Sequence, residues 1–243
     1  MKVTVFTSNG LRHKYLINSL SKNFDVNAII ETTSSVSTNS NVSPILNEYF
    51  SYVKSAERNV FGDNTTILAN NLKEIEKGSL SKIDFDQINE FMNSDIFIVF
   101  GSSYIKEPLI DFLIDKKCIN LHMGLSPFYR GAACNFWAQY DKRYDMIGGT
   151  IHYLSKGLDS GDIIKSVNLE NGSYDRFEVG MIAVKKTIDQ LNDLILQNKI
   201  FNIIPYKQDR EREIRYSKIK DFNEDKAKEF LKLYKEDKYI KIE

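Results

Sequence analysis

Ile96, Phe97, Ile98, Val99 and Phe100 are five consecutive large apolar residues closed by Gly101. A strand with one wet face alternates polar and apolar residues. An unbroken run of this kind instead fits a strand covered on both faces, as in a parallel sheet flanked by helices. The start of the chain agrees. Val3 to Thr7 is a β-branched and aromatic run ended by Ser8-Asn9-Gly10, Leu11, Tyr15, Leu16 and Leu20 then recur at helical spacing, and Val26 to Ile30 is a second apolar run. Strand, helix and strand in such close succession make a βαβ unit, from which parallel sheets are built.

Farther along, a Ser/Thr/Asn-rich stretch runs from Thr32 to Ser43, and Pro44 to Met92 reads as mostly helical pieces interrupted by Gly62 and Gly78. Pro108 to Ile114 is predicted helical, Cys118 to His122 a short strand, and Ala132 to Tyr140 a helix entered from a polar loop. Gly149 to Leu154 and Asp162 to Leu169 read as a hairpin-like pair of strands around Asp159-Ser160-Gly161. Val184, Ile188, Leu191 and Ile195 mark a helix over Glu178 to Gln197. Past Pro205 the chain becomes highly charged, with an amphipathic piece from Phe222 to Tyr234. The pattern predicts an α/β fold with a mostly parallel central sheet, one main domain over 1–205 and a charged C-terminal extension over 206–243 with a short helix.

The 243 residues are 42% hydrophobic and 27% charged, enough to bury a core without help. Lys plus Arg and Asp plus Glu both number 33, so no global field attracts nucleic acid or an anionic membrane, and any anionic ligand has to be held locally. Cys118 and Cys134 have neither metal-site spacing nor the density of a disulfide scaffold, so no metal is expected and a reducing cytoplasm is the natural setting. The N-terminal apolar run is too short for a signal peptide, and no stretch approaches the roughly 20 apolar residues of a membrane span.

Residues i and i+2 of a strand project from the same face, so Asn120 and His122 present a carboxamide and an imidazole together at a strand end. Open α/β sheets bind ligands at the carboxyl ends of their strands. An amide can donate to a developing oxyanion and an imidazole can move protons near neutral pH. Asp159 lies in the loop Gly157-Leu158-Asp159-Ser160-Gly161, where a carboxylate can orient a histidine. Taken singly, each of the three also has a plain structural account as a turn or strand-end residue.

Together they carry a resemblance. Asn120-Leu121-His122, then Leu125-Ser126-Pro127-Phe128-Tyr129-Arg130-Gly131, then Gly149-Thr150-Ile151-His152-Tyr153-Leu154, then Leu158-Asp159-Ser160-Gly161 look like the successive signatures of the formyltetrahydrofolate-dependent formyltransferases, in that family's order. The match is clear from about Ile96 to Val167 and rests on the βαβ pattern alone from Met1 to Ile30. It implies a Rossmann-like formyltransferase fold and transfer of formyl from N10-formyltetrahydrofolate to an amine. On that basis Asn120 donates to the oxyanion of a tetrahedral intermediate, His122 supplies an imidazolium or relays a proton, and Asp159 pairs with it and helps deprotonate the amine.

The same resemblance makes Ser103, Tyr104, Ile105 and Lys106 the border of the folate site, opposite a loop containing Gly157 and Leu158, with His152 nearby. Arg12, His13 and Lys14 load the first turn of a helix with cationic or potentially cationic groups, where the helix dipole disfavours them. A bound anion would offset that cost, so Ser8, Asn9, Gly10, Arg12 and His13 are candidates for a substrate phosphate, with a solvated basic turn as the other account. Arg130 is a candidate for a carboxylate, phosphate or sugar hydroxyl of the acceptor.

Among members of the family, those acting on initiator tRNA carry an added barrel and a basic surface, which this balanced charge does not match. Phosphoribosylglycinamide formylation remains an alternative, although Ser8 to His13 departs from that enzyme's glycine-rich phosphate loop. The resemblance is greatest to the sugar N-formyltransferases, which act on nucleotide-linked aminosugars such as 4-amino-4,6-dideoxyhexoses destined for bacterial surface polysaccharide and lipopolysaccharide O-antigen. Their small C-terminal appendage can contribute to a homodimer, although nothing in this chain's spacing demonstrates an interface. A non-catalytic nucleotide-binding Rossmann-like module is the reading from another class, and it requires Asn120, His122 and Asp159 to be scattered.

Overall fold

The structure is a computed structural model that describes residues 1–32 and 43–243. Residues 33–42, which make up nearly all of the Ser/Thr/Asn-rich stretch, lie outside the described residues. The chain runs through β1 (Lys2–Ser8), α1 (Leu11–Leu20), β2 (Asp25–Thr32), α2 (Pro44–Phe61), β3 (Asn71–Glu76), β4 (Ile96–Phe100), α3 (Leu109–Asp115) and β5 (Ile119–His122). It continues through β6 (Tyr129–Gly131), α4 (Cys134–Tyr140), β7 (Gly148–Tyr153), β8 (Ile163–Asn168), β9 (Gly172–Asp175) and α5 (Val179–Leu196). The last elements are β10 (Arg215–Ser217), α6 (Glu224–Glu236) and β11 (Tyr239–Ile242).

Seven strands form one sheet in the order β3-β2-β1-β4-β5-β7-β8. From β3 to β5 every neighbouring pair is parallel, whereas β7 runs antiparallel to both β5 and β8. The central run behaves as its composition requires. Ile96, Ile98 and Phe100 of β4 enter a core with Leu16 and Ile17 of α1 and Ile188 and Leu191 of α5. Phe97 and Val99 enter a second core on the other face with Leu109, Ile110 and Leu113 of α3. Both faces are therefore dry, and hydrophobicity without alternation is the sequence consequence.

The reading of Pro44 to Met92 as mostly helical holds only for its first part. Ser43 accepts from the Ile45 amide at the start of α2, and the helix stops at Gly62, whose φ of 78° lies in the left-handed region. Asn71 to Glu76 is then a strand at the sheet edge, paired among the described residues only with β2. Its sequence, Asn-Leu-Lys-Glu-Ile-Glu, carries charge because an edge strand is mostly exposed and charge there discourages pairing with other chains. That composition resembles a solvated helix more than a strand. Three short 3-10 turns, not helices, complete the segment to Phe91.

The charged segment after Pro205 folds back over the domain. Arg215 to Ser217 pairs parallel with Tyr129 to Gly131, and Tyr239 to Ile242 pairs antiparallel with Gly172 to Asp175. In α6 the side chain of Asn223 accepts from the Lys226 amide, and Ala227, Phe230 and Leu231 turn into an aromatic core with Tyr49, Phe136 and Phe177. Burying Phe230 and Leu231 contributes about 2 kcal/mol each.

Gly131 makes the β6–β10 contact possible. Its φ is 90°, and a Cβ there would lie 2.0 Å from the Ser217 carbonyl oxygen. Gly131→Ala is expected to cost about 3 kcal/mol in chemical denaturation and to raise amide exchange across 215–217, because backbone has to move. Gly62→Ala, where a Cβ meets nothing within 4 Å, is expected to cost only the left-handed penalty of about 1 kcal/mol. Equal costs at the two glycines would contradict the close-approach account.

Candidate active site

The carboxyl ends of β4 and β5 open into a cavity of about 600 Å³. Asn120 and His122 enter it from β5, His152 from β7, and Asp159 from the loop between β7 and β8. Gly101 to Ile105 form the facing wall, and Tyr216 to Ile219 of the C-terminal segment close one side.

The three residues read from the sequence as a chemical unit are in contact. Asp159 Oδ1 lies 3.4 Å from His122 Nδ1 and 3.4 Å from Asn120 Nδ2, and Oδ2 accepts from the Gly131 amide at 3.1 Å. Asp159 has φ of 47°, a conformation that Asp tolerates better than most residues. Its loop is held from both sides. Arg130 Nη2 donates to the Leu158 carbonyl at 2.5 Å, and Gln208 Nε2 donates to the carbonyls of Asp159 and Gly161 at 3.0 and 2.7 Å.

The two histidines carry opposite protonation states. His122 Nε2 lies 3.0 Å from the Tyr129 carbonyl oxygen, which can only accept, and its Nδ1 faces Asp159. Both ring nitrogens therefore need protons, and only imidazolium satisfies both partners. Burial opposes the charge, but Asp159, the Cys134 thiol 3.5 Å from Nε2 and the Tyr129 carbonyl together raise the pKa to about 10. His152 is 1% exposed, and burial followed by the charge of His122 lowers its pKa to about 4. Its Nδ1 donates to the Tyr153 carbonyl at 2.8 Å, so Nε2 is the lone-pair nitrogen and accepts from Asn120 Nδ2 at 3.0 Å. Sequence reading placed His152 beside the folate; it lines the cavity and also fixes one amide hydrogen of Asn120. The second hydrogen, oriented by the same planar amide, has among the described residues only the long contact to Asp159 and is available to a developing oxyanion.

Ser103, Tyr104, Ile105, Gly157 and Leu158 line the cavity, with Tyr104 Oη donating to the Lys156 carbonyl across it at 3.1 Å. Lys106 is exposed and outside the lining, because the chain has already turned into the approach to α3. Arg130 differs as well. It is 7% exposed, its Nη1 binds Glu213 at 2.7 Å, and it supports the Asp159 loop rather than facing the cavity.

The turn from Ser8 to His13 does not present the expected phosphate site. His13 is 3% exposed, its ring packs on Phe100 with centroids 4.7 Å apart, and its Nδ1 donates to Thr7 Oγ1 at 2.7 Å. Burial, then the nearby Arg12 charge, lower its pKa to about 3, so it is neutral and offers no charge to an anion. Ser8, Asn9 and Gly10 do not line the cavity. The anion that offsets the basic first turn is internal: Glu57 Oε1 of α2 accepts from the Arg12 amide at 3.2 Å and from its guanidinium at 3.0 Å. Arg12 still reaches the cavity wall, but as half of an ion pair.

Among the described residues no group of three or more side chains suits a metal ion, and no helix is long and apolar enough to cross a membrane. Sequence reading did not find the contributions of Gln208, Tyr216 to Ile219 or Cys134, since their motif-free surroundings give no signal of approach to the site.

The raised pKa of His122 has a defined sign. Stabilisation from the His122–Asp159 pair is complete below 6.5 and is lost as pH rises through about 10. Nuclear magnetic resonance is expected to show His122 protonated at neutral pH and Asp159→Asn to bring its midpoint down sharply. A wild-type midpoint near 6.5 would contradict the pair.

A family model for formyl transferase matches residues 1–171. In sequence the chain is 32% identical over 131 residues to a methionyl-tRNA formyltransferase of Desulforamulus reducens, covering 53% of this chain and 40% of that protein. The chain spans less than half the length of the curated relatives it matches. In structure it resembles a sugar N-formyltransferase from a Shewanella species, with a TM-score of 0.59 and 19% identity over 91% of this chain and 78% of that one. It also resembles the formyltransferase PseJ from Anoxybacillus kamchatkensis, solved with UDP-4,6-dideoxy-4-formamido-L-AltNAc and tetrahydrofolate, with a TM-score of 0.51 and 20% identity over 98% and 94% of the two chains. These identities speak to the fold alone; the match over 171 of 243 residues carries the assignment, and the chain belongs to the formyl transferase family.

Proposed function

We propose that this protein transfers a formyl group from N10-formyltetrahydrofolate to the amine of a nucleotide-linked aminosugar, such as a 4-amino-4,6-dideoxyhexose used in bacterial surface polysaccharide. The observation that carries the reading is the mutual contact of Asn120, His122 and Asp159 at the mouth of β5, in a chain of the formyl transferase family. Family membership supports the donor. The cavity fits it in kind: a mostly apolar space with polar groups at Ser103, Asn120 and His152 that a flat, edge-polar ring system requires.

The donor supplies an activated carbonyl carbon, and the residues here do the rest. Asn120 directs its second amide hydrogen, only weakly engaged by Asp159, at the oxygen that becomes negative. The His122 imidazolium lies beside the same oxygen's expected place and adds positive charge in a dry site, where it counts for more than in water. Asp159 keeps that imidazole charged and accepts the proton that the attacking amine loses. The amine nitrogen adds to the formyl carbon to give the tetrahedral oxyanion as Asp159 takes its proton, and collapse breaks the bond to N10, which leaves with that proton relayed through His122.

The sugar acceptor is favoured by the structural likeness over most of the chain to one protein described as a sugar N-formyltransferase and to another solved with a UDP-linked formamido sugar. A second reading has its own support in sequence, from the methionyl-tRNA formyltransferases. Against it stands the zero formal charge, since tRNA binding draws on many phosphate contacts. Phosphoribosylglycinamide is a third acceptor, and the neutral His13 and paired Arg12 weaken its phosphate site as they weaken any there.

Incubation with N10-formyltetrahydrofolate and a panel of dTDP-, UDP- and GDP-linked aminosugars is expected to add one formyl mass to one of them. Turnover of methionyl-tRNA or phosphoribosylglycinamide, with none of any sugar, would replace the acceptor and keep the chemistry. Asn120→Ala is expected to lower kcat by about 10² to 10³ with little change in KM. Full activity in that variant would overturn the mechanism.

A further inference from the structure

We propose that Glu31, remote from the reacting groups, is a positioning residue for the formyl donor: its buried carboxylate fixes the loop that forms one wall of the catalytic cavity. The proposal rests on the reading of that cavity as a folate site. Glu31 is the penultimate residue of β2, is 2% exposed, and takes no part in the contacts among Asn120, His122, His152 and Asp159. Its Oε2 accepts from the Ser103 amide at 2.5 Å, and its Oε1 accepts from Ser103 Oγ at 2.5 Å and from the Gly78 amide at 2.8 Å. Strands β2 and β4 are not neighbours, since β1 lies between them. The carboxylate therefore reaches over the end of β1 and ties the loop after β4 to the paired ends of β2 and β3, a link that no strand pairing makes.

The loop needs such a tie. It leaves β4 at Gly101 with φ of 62°, and residues 103 to 105 make no backbone–backbone hydrogen bond among the described residues. Ser103, Tyr104 and Ile105 nonetheless line the cavity. Tyr104 is anchored across the opening to Lys156 at an exposed position, which leaves Glu31 as the buried anchor. Hydrogen bonds to an ionised acceptor are about twice as strong as neutral ones, and three of them offset the cost of keeping a carboxylate from water.

Glutamine is the informative substitution. It keeps shape and one oxygen but turns the other oxygen into a donor. On the Oε2 side that donor would face the Ser103 amide, and on the Oε1 side it would face the Gly78 amide. Either orientation opposes two donors, so the clamp opens while the residues around His122 keep their partners.

The test uses the full chain with 5-formyltetrahydrofolate as an unreactive probe of the donor site. Glu31→Gln is expected to raise amide exchange at 101–105, to weaken probe binding about tenfold, and to leave the His122 titration midpoint unchanged. In turnover the donor KM rises by the same factor and kcat stays within about twofold, a split that general destabilisation would not produce. Ser103→Ala, which removes one donor and keeps the charge, is expected to weaken the probe about threefold and guards against a Glu31→Gln protein that does not fold. Unchanged exchange at 101–105, or unchanged probe binding in a folded Glu31→Gln protein, would overturn the role of Glu31 alone. Failure of the wild-type protein to bind the probe would overturn the donor reading of the cavity, and this proposal with it.

Discussion

The site depends on one carboxylate in an unfavourable backbone conformation. Asp159 holds φ of 47° while its side chain touches His122, Asn120 and the Gly131 amide. The contacts come from two parts of the fold: β5 supplies two, and the end of β6 supplies the third. Without them a non-glycine residue would relax out of the left-handed region. Without Asp159, His122 would be a buried imidazole between a carbonyl and a void, and burial would drive it neutral. The charge state of the site is thus a consequence of loop geometry, and the loop geometry is set by Arg130 and Gln208 from outside the cavity.

Two histidines a few ångströms apart show how strongly such placement decides chemistry. His122 and His152 have ring centroids 6.4 Å apart and are both buried. One is held as a cation by a carboxylate, and that cation helps to hold the other neutral. The division gives each a separate task. A neutral His152 accepts from Asn120 and fixes its amide, which an imidazolium with no lone pair could not do. Protonating His152 would free the amide to rotate and place two like charges side by side.

Much of this was legible in the chain. The unbroken run Ile96 to Phe100 required a doubly covered strand, and β4 occupies those residues. The i, i+2 placement of Asn120 and His122 on a strand end was a statement about backbone geometry, and the structure keeps it. Asp159 came from resemblance alone, and its approach across the β7–β8 loop is a tertiary fact. What stayed hidden has physical reasons. β3 carries the charges of an exposed edge, so its composition imitates a helix face. The basic first turn of α1 did signal a nearby anion, but local sequence cannot say whether an anion is a ligand or a side chain 45 residues away. The C-terminal segment is charged on its surface and apolar only at Ala227, Phe230 and Leu231, so its docking depends on an aromatic core assembled from distant helices.

Three carboxylates at the carboxyl edge of the sheet perform related tasks, and their differences locate the chemistry. Glu31, Glu57 and Asp159 each accept from a backbone amide of another segment, because loops leaving parallel strands have few partners among themselves. Glu31 is saturated by three short hydrogen bonds to amides and a hydroxyl, none of which releases a proton near neutral pH. Glu57 is matched to a guanidinium, which keeps its proton throughout. Asp159 alone faces an imidazole and does so at 3.4 Å, longer than a settled ionic hydrogen bond. A loosely engaged carboxylate beside a group that can gain and lose a proton has capacity left for a substrate. The other two spend theirs on holding the walls in place, which lets Asp159 remain incompletely satisfied in a buried site.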